Sequence, residues 1–345
     1  MVTPDFELRL VDALEPIRGL ALANALHALM DSGVYDTLLA QPGLSAEDLA
    51  ARHGLAADRF GVLCHYLANE GYLAEDAGWA LTAKARELAE FRPWYTLLVG
   101  GYAGTFAQLG ATLKDGAPWA DRDGAEVGAG SCGMSMIDVL PMAHRLLDTL
   151  PTAAPTIVDL GCGDAAFLVE LVKARPGLRA VGFEPDAVSS GLAAERVERE
   201  GLTDRITIHR GRVSDVLGAD LPGDGSVCFL TAFVLQEMLE QDGEAAVEAL
   251  LRKVMDAHPA AHWLVVEVDH RIDDRRAMAH ALARAYYNPY FLLHALTEQR
   301  LERREFWDAL FARAGLEIAQ LDHPDDRVDS TRFELGYLLR TPAGR

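Results

Sequence analysis

Two glycines just behind an acid set the first chemical question of this chain. In "IVDLGCGDAAFLVELVKARPG", residues 157–177, an apolar run passes through Gly161 and Gly163 into a segment of helical periodicity. Glycines there let a ligand press against the backbone, and the helix that follows aims its first amide N–H groups at it. Residues 161–166 satisfy G-x-G-x-x-G/A, so a dinucleotide has to be considered. Asp159, at the end of the apolar run, speaks against it, because a carboxylate repels a pyrophosphate and suits a ligand carrying an amino group and a sulfonium. Glu184 ends the next apolar run, where an acid can accept hydrogen bonds from both ribose hydroxyls. That feature is shared by nucleotide and nucleoside ligands.

A second group lies downstream. "FVLQEML", from Phe233, offers an amide oxygen at Gln236 and a carboxylate at Glu237, and "YYNPYFLLHALTEQR" places His294 on an apolar, aromatic segment. Amide, carboxylate and imidazole together can hold a divalent metal with positions left open. Each also has a plainer reading, His294 as a core residue bonded to a carbonyl and Gln236 as a polar helix residue. Asp269 and His270 are either turn residues or pocket lining, and Met134, Met136 and Met142 read as packing.

The bulk of the chain narrows the classes. Its 345 residues, half of them apolar, suffice for two domains with sizeable cores. A net charge of -20 disfavours nucleic acid, which is held by clustered Lys and Arg. The four cysteines (Cys64, Cys132, Cys162, Cys228) form no C-x-x-C pair, so neither a zinc knuckle nor a disulfide framework is implied. With no basic leader and no apolar run long enough to cross a bilayer, a cytoplasmic protein without membrane or nucleic-acid partners is expected.

The elements that must position these residues follow from periodicity. Helical spacing runs from Phe6 to about Leu39, with Gly33 placed to end a helix. Ser45 caps a short helix, a second begins near Ala57, and "GYLAEDAGWALT" reads as a hairpin. Helix, helix and wing predict a winged-helix unit over 1–90. Its second helix offers only Arg59 as a fixed positive charge, so dimerisation or a lid role is preferred to DNA binding. Residues 91–150 read as a helical connector lining the substrate pocket, the glycine-rich "DGAEVGAGSCGMS" leading into one helix over "MIDVLPMAHRLLDTL". Over 151–345 strands and helices alternate, which predicts an α/β parallel sheet with helices on both faces. The last two strands, joined by a short polar loop, form an edge hairpin.

That alternation, the acid-flanked glycines and the terminal hairpin together resemble the class I S-adenosylmethionine-dependent methyltransferases, over about Pro155 to Arg340. The resemblance implies a Rossmann-like seven-stranded sheet. It also implies S-adenosyl-L-methionine held by Asp159, Gly161, Gly163, Glu184, Pro185, Arg212, Val213 and Thr231. The family usually has an acid after the glycine that follows the third strand. Here Gly211 is followed by Arg212, which leaves Asp215 or the backbone at Val213 for the adenine.

With its N-terminal unit, nearly the whole chain is similar to small-molecule O-methyltransferases of secondary metabolism, which commonly read V-L-H-D-W after the fourth strand. Here that place reads Val234-Leu235-Gln236-Glu237-Met238, and an amide has no useful basicity. The chain looks more like the α-keto acid C-methyltransferases, also on the His294 to Trp307 spacing. That resemblance implies a metal, zinc or iron, held by Gln236, Glu237 and His294. It further implies methylation of the β-carbon of a 2-oxo acid, such as 5-guanidino-2-oxopentanoate, through a metal-stabilised enolate, and a homodimer formed by the N-terminal domain. Glu237, His294 and His144 are the expected catalytic groups, His144 as base or substrate contact. O- or N-methylation with another base, and a non-catalytic regulator, are the alternatives.

Overall fold

The computed structural model describes residues 5–152, 155–219, 221 and 226–342. The chain divides into two compact units, Met1–Ala103 and Gly104–Arg345.

The first unit runs α1 (Phe6–Asp31), α2 (Val34–Ala40), α3 (Ala46–His53), α4 (Ala57–Asn69), β1 (Leu73–Glu75), β2 (Trp79–Leu81), α5 (Ala83–Glu87), α6 (Arg92–Tyr95) and a π-helical turn over Thr96–Gly101. α1 ends where expected, with Gly33 left-handed at φ 75° just beyond it. Ser45 caps α3 by accepting the Asp48 N–H at 3.0 Å, and Phe60, Cys64 and Leu67 bury one face of α4. β1 and β2 pair antiparallel, Leu73 opposite Leu81, so the predicted helix, helix and hairpin order is present.

The second unit opens with α7 (Ala103–Thr112), α8 (Gly124–Ser135) and α9 (Val139–Leu147). The glycine-rich stretch expected as a lead-in is itself helical. Asp123 caps it, accepting from the Ala125 and Glu126 N–H groups at 3.0 and 3.1 Å, which offsets the poor propensity of its glycines.

Alternation then gives β3 (Thr156–Leu160), α10 (Ala166–Ala174), β4 (Arg179–Glu184), α11 (Ala187–Arg199), β5 (Ile206–Arg210), a 3₁₀ turn (Val213–Gly218), β6 (Val227–Ala232), α12 (Leu235–Gln241), α13 (Glu244–Ala257) and β7 (His262–Val268). A π-helical turn (Ala283–Tyr287), α14 (Asn288–His294), α15 (Arg304–Arg313), β8 (Glu317–Asp322) and β9 (Glu334–Arg340) complete it. The seven strands order β5-β4-β3-β6-β7-β9-β8, with β9 antiparallel to both neighbours and the rest parallel. This is the predicted α/β sheet with its terminal hairpin. The connection between the last two strands, residues 323–333, is longer than the short loop expected and is tied down by Asp329, which accepts the Thr331 N–H at 2.8 Å and its hydroxyl at 2.6 Å.

β3, β4, β6 and β7 are buried almost throughout, as parallel strands covered on both faces must be. One core packs around Trp263, Phe229 and Trp307, the other around Leu168, Leu264 and Met142. Successive strands leave β3 in opposite directions, β4 and β5 to one side and β6 and β7 to the other. The switch point, where such sheets bind ligands, therefore lies at the carboxyl ends of β3 and β6.

Candidate active site

At the end of β3, Asp159 is 5% exposed, and burial, with the Glu184 charge beside it, pushes its carboxyl up to about 7. It makes no hydrogen bond among the described residues. Gly161 (φ 97°) and Gly163 (φ 56°) carry the chain through left-handed turns, and Ala165 (φ 60°) adds a third before α10. A Cβ on Gly161 would stand 2.7 Å from Val234 Cγ2, so this glycine also lets the β6 connection close against the loop. Gly182 on β4, in register with Asp159, leaves room for the Cys162 side chain, which a Cβ there would meet at 2.6 Å. The sequence reading missed that position.

Glu184 holds the loop from the side. Its Oε2 accepts the Gly163 N–H at 3.0 Å and its Oε1 the Asp186 N–H at 2.9 Å, while burial still raises its pKa. Arg196 pairs with Asp164 and donates to its carbonyl at 3.0 Å, fixing the loop to α11. Pro185 and Arg212 are exposed beside this end of the sheet and Val213 is half-buried. Asp215 accepts the Arg212 N–H at 2.8 Å, so one of its oxygens caps the 3₁₀ turn. Thr231 departs from expectation. Fully buried, its hydroxyl accepts the Trp263 indole N–H at 3.1 Å, which gives that side chain to the core.

Phe233 follows β6 at φ 59°, a strained value for a non-glycine, and turns the chain into α12. The first turn of α12 is fixed by Glu267, an acid inside the apolar "WLVVEV" that sequence reasoning passed over. It is fully buried, and its Oε1 accepts the Leu235 and Gln236 N–H groups at 2.9 and 3.3 Å. Burial raises its pKa well above the carboxylate range. Gln236, 1% exposed, presents a buried Oε1 with no hydrogen-bond partner. Such an orphan costs about 1–3 kcal/mol unless something binds it. Glu237 accepts from Arg122 at 2.7 Å and from Gln299 at 3.1 Å. The Arg300 N–H donates to the Gln236 carbonyl at 2.9 Å, so the segment after α14 is bound to the first turn of α12.

His294, 2% exposed, closes α14. Its Nδ1 lies 2.8 Å from the Tyr290 carbonyl, and a carbonyl only accepts, so Nδ1 carries the proton and Nε2 the lone pair. Burial, with Arg122 and His270 adding to it, lowers its pKa to about 3, which makes it a poor general base at neutral pH. Tyr290 packs over the imidazole at 3.7 Å. His144, expected near the chemistry, is elsewhere. Its Nδ1 accepts from Arg175 Nε at 2.9 Å, beyond the C-terminus of α10, whereas the glycine loop feeds the other end of that helix. Nine residues of α10 separate the two, about 14 Å. Asp269 accepts the Arg304 N–H at 2.9 Å and so caps α15, while His270 sets its ring edge-on to Phe291 at 5.0 Å. Trp307 is a core residue, and Met142 packs in the core as read.

Among the described residues no group of three or more His, Cys, Asp or Glu could by itself hold a metal. No described helix is long and apolar enough to cross a membrane.

A buried carboxylate waiting at a glycine loop, a second acid on the next strand and this strand order define a class I S-adenosylmethionine-dependent methyltransferase. Solved structures agree on the fold. The chain matches LaPhzM with a TM-score of 0.68 at 17% identity, covering 96% of this chain and 99% of that one. It matches human N-acetylserotonin methyltransferase in complex with S-adenosylmethionine with a TM-score of 0.65 at 17% identity, covering 99% and 100%. No family model matches. The chain is 46% identical to the 2-ketoarginine methyltransferase of Streptomyces arginensis over 344 residues, 98% of each chain. It therefore belongs to the methyltransferase family that contains that enzyme. A methyltransferase of Aspergillus campestris, ungE′, is 22% identical over 91% of this chain and 94% of that one.

Proposed function

We propose that the protein transfers a methyl group from S-adenosylmethionine to the β-carbon of an α-keto acid, with 5-guanidino-2-oxopentanoate as the favoured substrate. The observation that carries the reading is the 46% identity, over nearly the whole chain, to an enzyme named for that keto acid. Asp159 and Glu184 suit the donor. A cationic ligand bearing N–H and O–H donors relieves both carboxylates, which burial pushes up, Asp159 with the Glu184 charge adding to it.

For acceptor chemistry, Gln236, Glu237 and His294 are the residues that would hold a divalent ion. The fit rests on the unpartnered buried Oε1 of Gln236 and on the His294 tautomer, whose Nδ1–H to a backbone carbonyl is the arrangement that orients a ligating Nε2. Such an ion would supply Lewis acidity toward negative charge developing on the keto oxygen. Glu267 keeps the first turn of α12 in place, and Arg122 balances the Glu237 charge. Hydroxyl methylation is less well supported, since Gln236 is not basic, His294 is held neutral and His144 sits at the other end of α10.

The N-terminal unit supports a homodimer. α1 exposes Leu8 (72%), Val11 (55%), Ile17 (63%) and Leu20 (61%), apolar side chains distributed around the helix of the kind that a second copy covers.

The test is incubation with S-adenosylmethionine and a panel of 2-oxo acids derived from arginine, leucine and phenylalanine, with mass detection of the product. The expected result is a methyl gain on the arginine-derived acid that is lost with a chelator and restored by zinc or iron(II). Methylation of a phenol or hydroxy acid in its place would overturn the reading.

A further inference from the structure

Three buried acids lie outside the machinery described so far. α9 crosses β9 closely because Gly336 has no side chain. A Cβ there would stand 2.6 Å from Met142 Sδ. One turn back along α9 from Met142 is Asp138, and one residue pair back along β9 from Gly336 is Glu334, so this crossing sets Asp138 over Glu334. Asp329 joins them from the loop before β9, and all three are 5–8% exposed. Glu334 pairs in register with Val268, at the carboxyl end of β7, so the group lies at the ligand end of the sheet.

We propose that Asp138, Glu334 and Asp329 form an anionic subsite that receives the guanidinium of the substrate side chain, which rests on the keto acid reading above. Asp329 is held by the Tyr287 hydroxyl and by Thr331, and Asp138 Oδ1 takes the Val139 N–H at 2.7 Å. Glu334 Oε1 is buried with no hydrogen-bond partner. None of the three forms an ion pair among the described residues, and burial, with the neighbouring acid charges adding to it, pushes Asp138 up to about 7 and Glu334 well above its usual range.

Asp329 ties the loop and Asp138 caps α9, but burying a third carboxylate, Glu334, beside them without a cation or a hydrogen-bond partner destabilises a fold, and neither role accounts for it. A planar cation with five N–H donors does.

Position supports the assignment. Tyr287, bonded to Asp329, and His294, at the keto acid end, lie seven residues apart along one helical segment, or about 10 Å. β6, which leads to Gln236, and β9, which begins at Glu334, are two strand spacings apart, again about 10 Å. Tyr290 over His294 and Tyr287 against Phe333 (5.1 Å) supply an aromatic wall between the two ends. A chain of three methylenes with a keto acid at one end and a guanidinium at the other matches that span.

The test compares kcat/KM for 5-guanidino-2-oxopentanoate with that for 2-oxohexanoate, whose side chain is uncharged, in the parent protein and in Glu334→Gln and Asp138→Asn. The ratio should fall about 100-fold in each variant, mostly through KM for the guanidino acid. An unchanged ratio, with both substrates affected alike or not at all, overturns the subsite while leaving the keto acid reading intact. Calorimetric titration with 4-guanidinobutanoate gives a readout that needs no turnover. Binding by the parent protein that weakens at least tenfold in Glu334→Gln supports the subsite even if no 2-oxo acid is methylated. No binding by the parent protein, or equal binding by the variant, counts against it.

Discussion

Asp159→Asn tests the donor site through both stability and affinity. The native carboxyl, raised from 3.8 to about 7, disfavours its charged form in the folded state by about 4 kcal/mol. For an acid whose folded pKa is raised, the stability contribution is full below the unfolded pKa and is lost as pH rises through the folded one. The penalty is then about 2 kcal/mol at roughly pH 5.5 and about 4 kcal/mol at roughly pH 8. The asparagine has the same shape and no charge to bury, so it should melt later than the parent protein. The gain should be larger at the higher pH, up to roughly 8–16 °C there. Binding should move the other way. On the proposed donor site, removing this carboxylate should weaken S-adenosylmethionine by about 100-fold or more. Thermal unfolding at the two pH values and calorimetric titration with the donor read both effects. A variant that melts no later at high pH, or that binds the donor as tightly as its parent, would refute the argument.

Other residues yield sharper, single-purpose tests. Gln236→Leu removes an orphaned buried acceptor, so thermal unfolding should show no loss of stability, while turnover should fall at least tenfold; full activity would remove Gln236 from the site. Glu267→Ala leaves the Leu235 and Gln236 N–H groups uncapped and should cost about 1–3 kcal/mol in denaturant titrations, whereas Glu267→Gln, whose amide oxygen still accepts, should cost less than half of that. Ile17→Glu, at an exposed position of α1, should shift sedimentation from dimer to monomer, and a parent protein that sediments as a monomer would count against the dimer.

The centre of the sheet was legible because β3, β4 and β6, buried on both faces, read as largely apolar runs that end on the markers Asp159, Glu184 and Phe233. α8 was not, since composition argued for a loop and only the cap at Asp123 argues for a helix. The donor loop could be read from neighbours in sequence. Arg122, Gln299 and the acids at 138, 329 and 334 could not, because they meet only through tertiary contacts between distant segments. Glu267 did leave a signal, an acid inside a strand core. His144 misled for the opposite reason, since proximity in sequence to the catalytic unit says nothing about which end of α10 a side chain reaches.

The most direct measurement is nuclear magnetic resonance of the product formed from 5-guanidino-2-oxopentanoate and a donor isotopically labelled in its methyl group. Transfer to the β-carbon predicts a labelled methyl coupled to a single neighbouring proton. A labelled methyl with no such coupling, at a shift typical of attachment to oxygen or nitrogen, would contradict it.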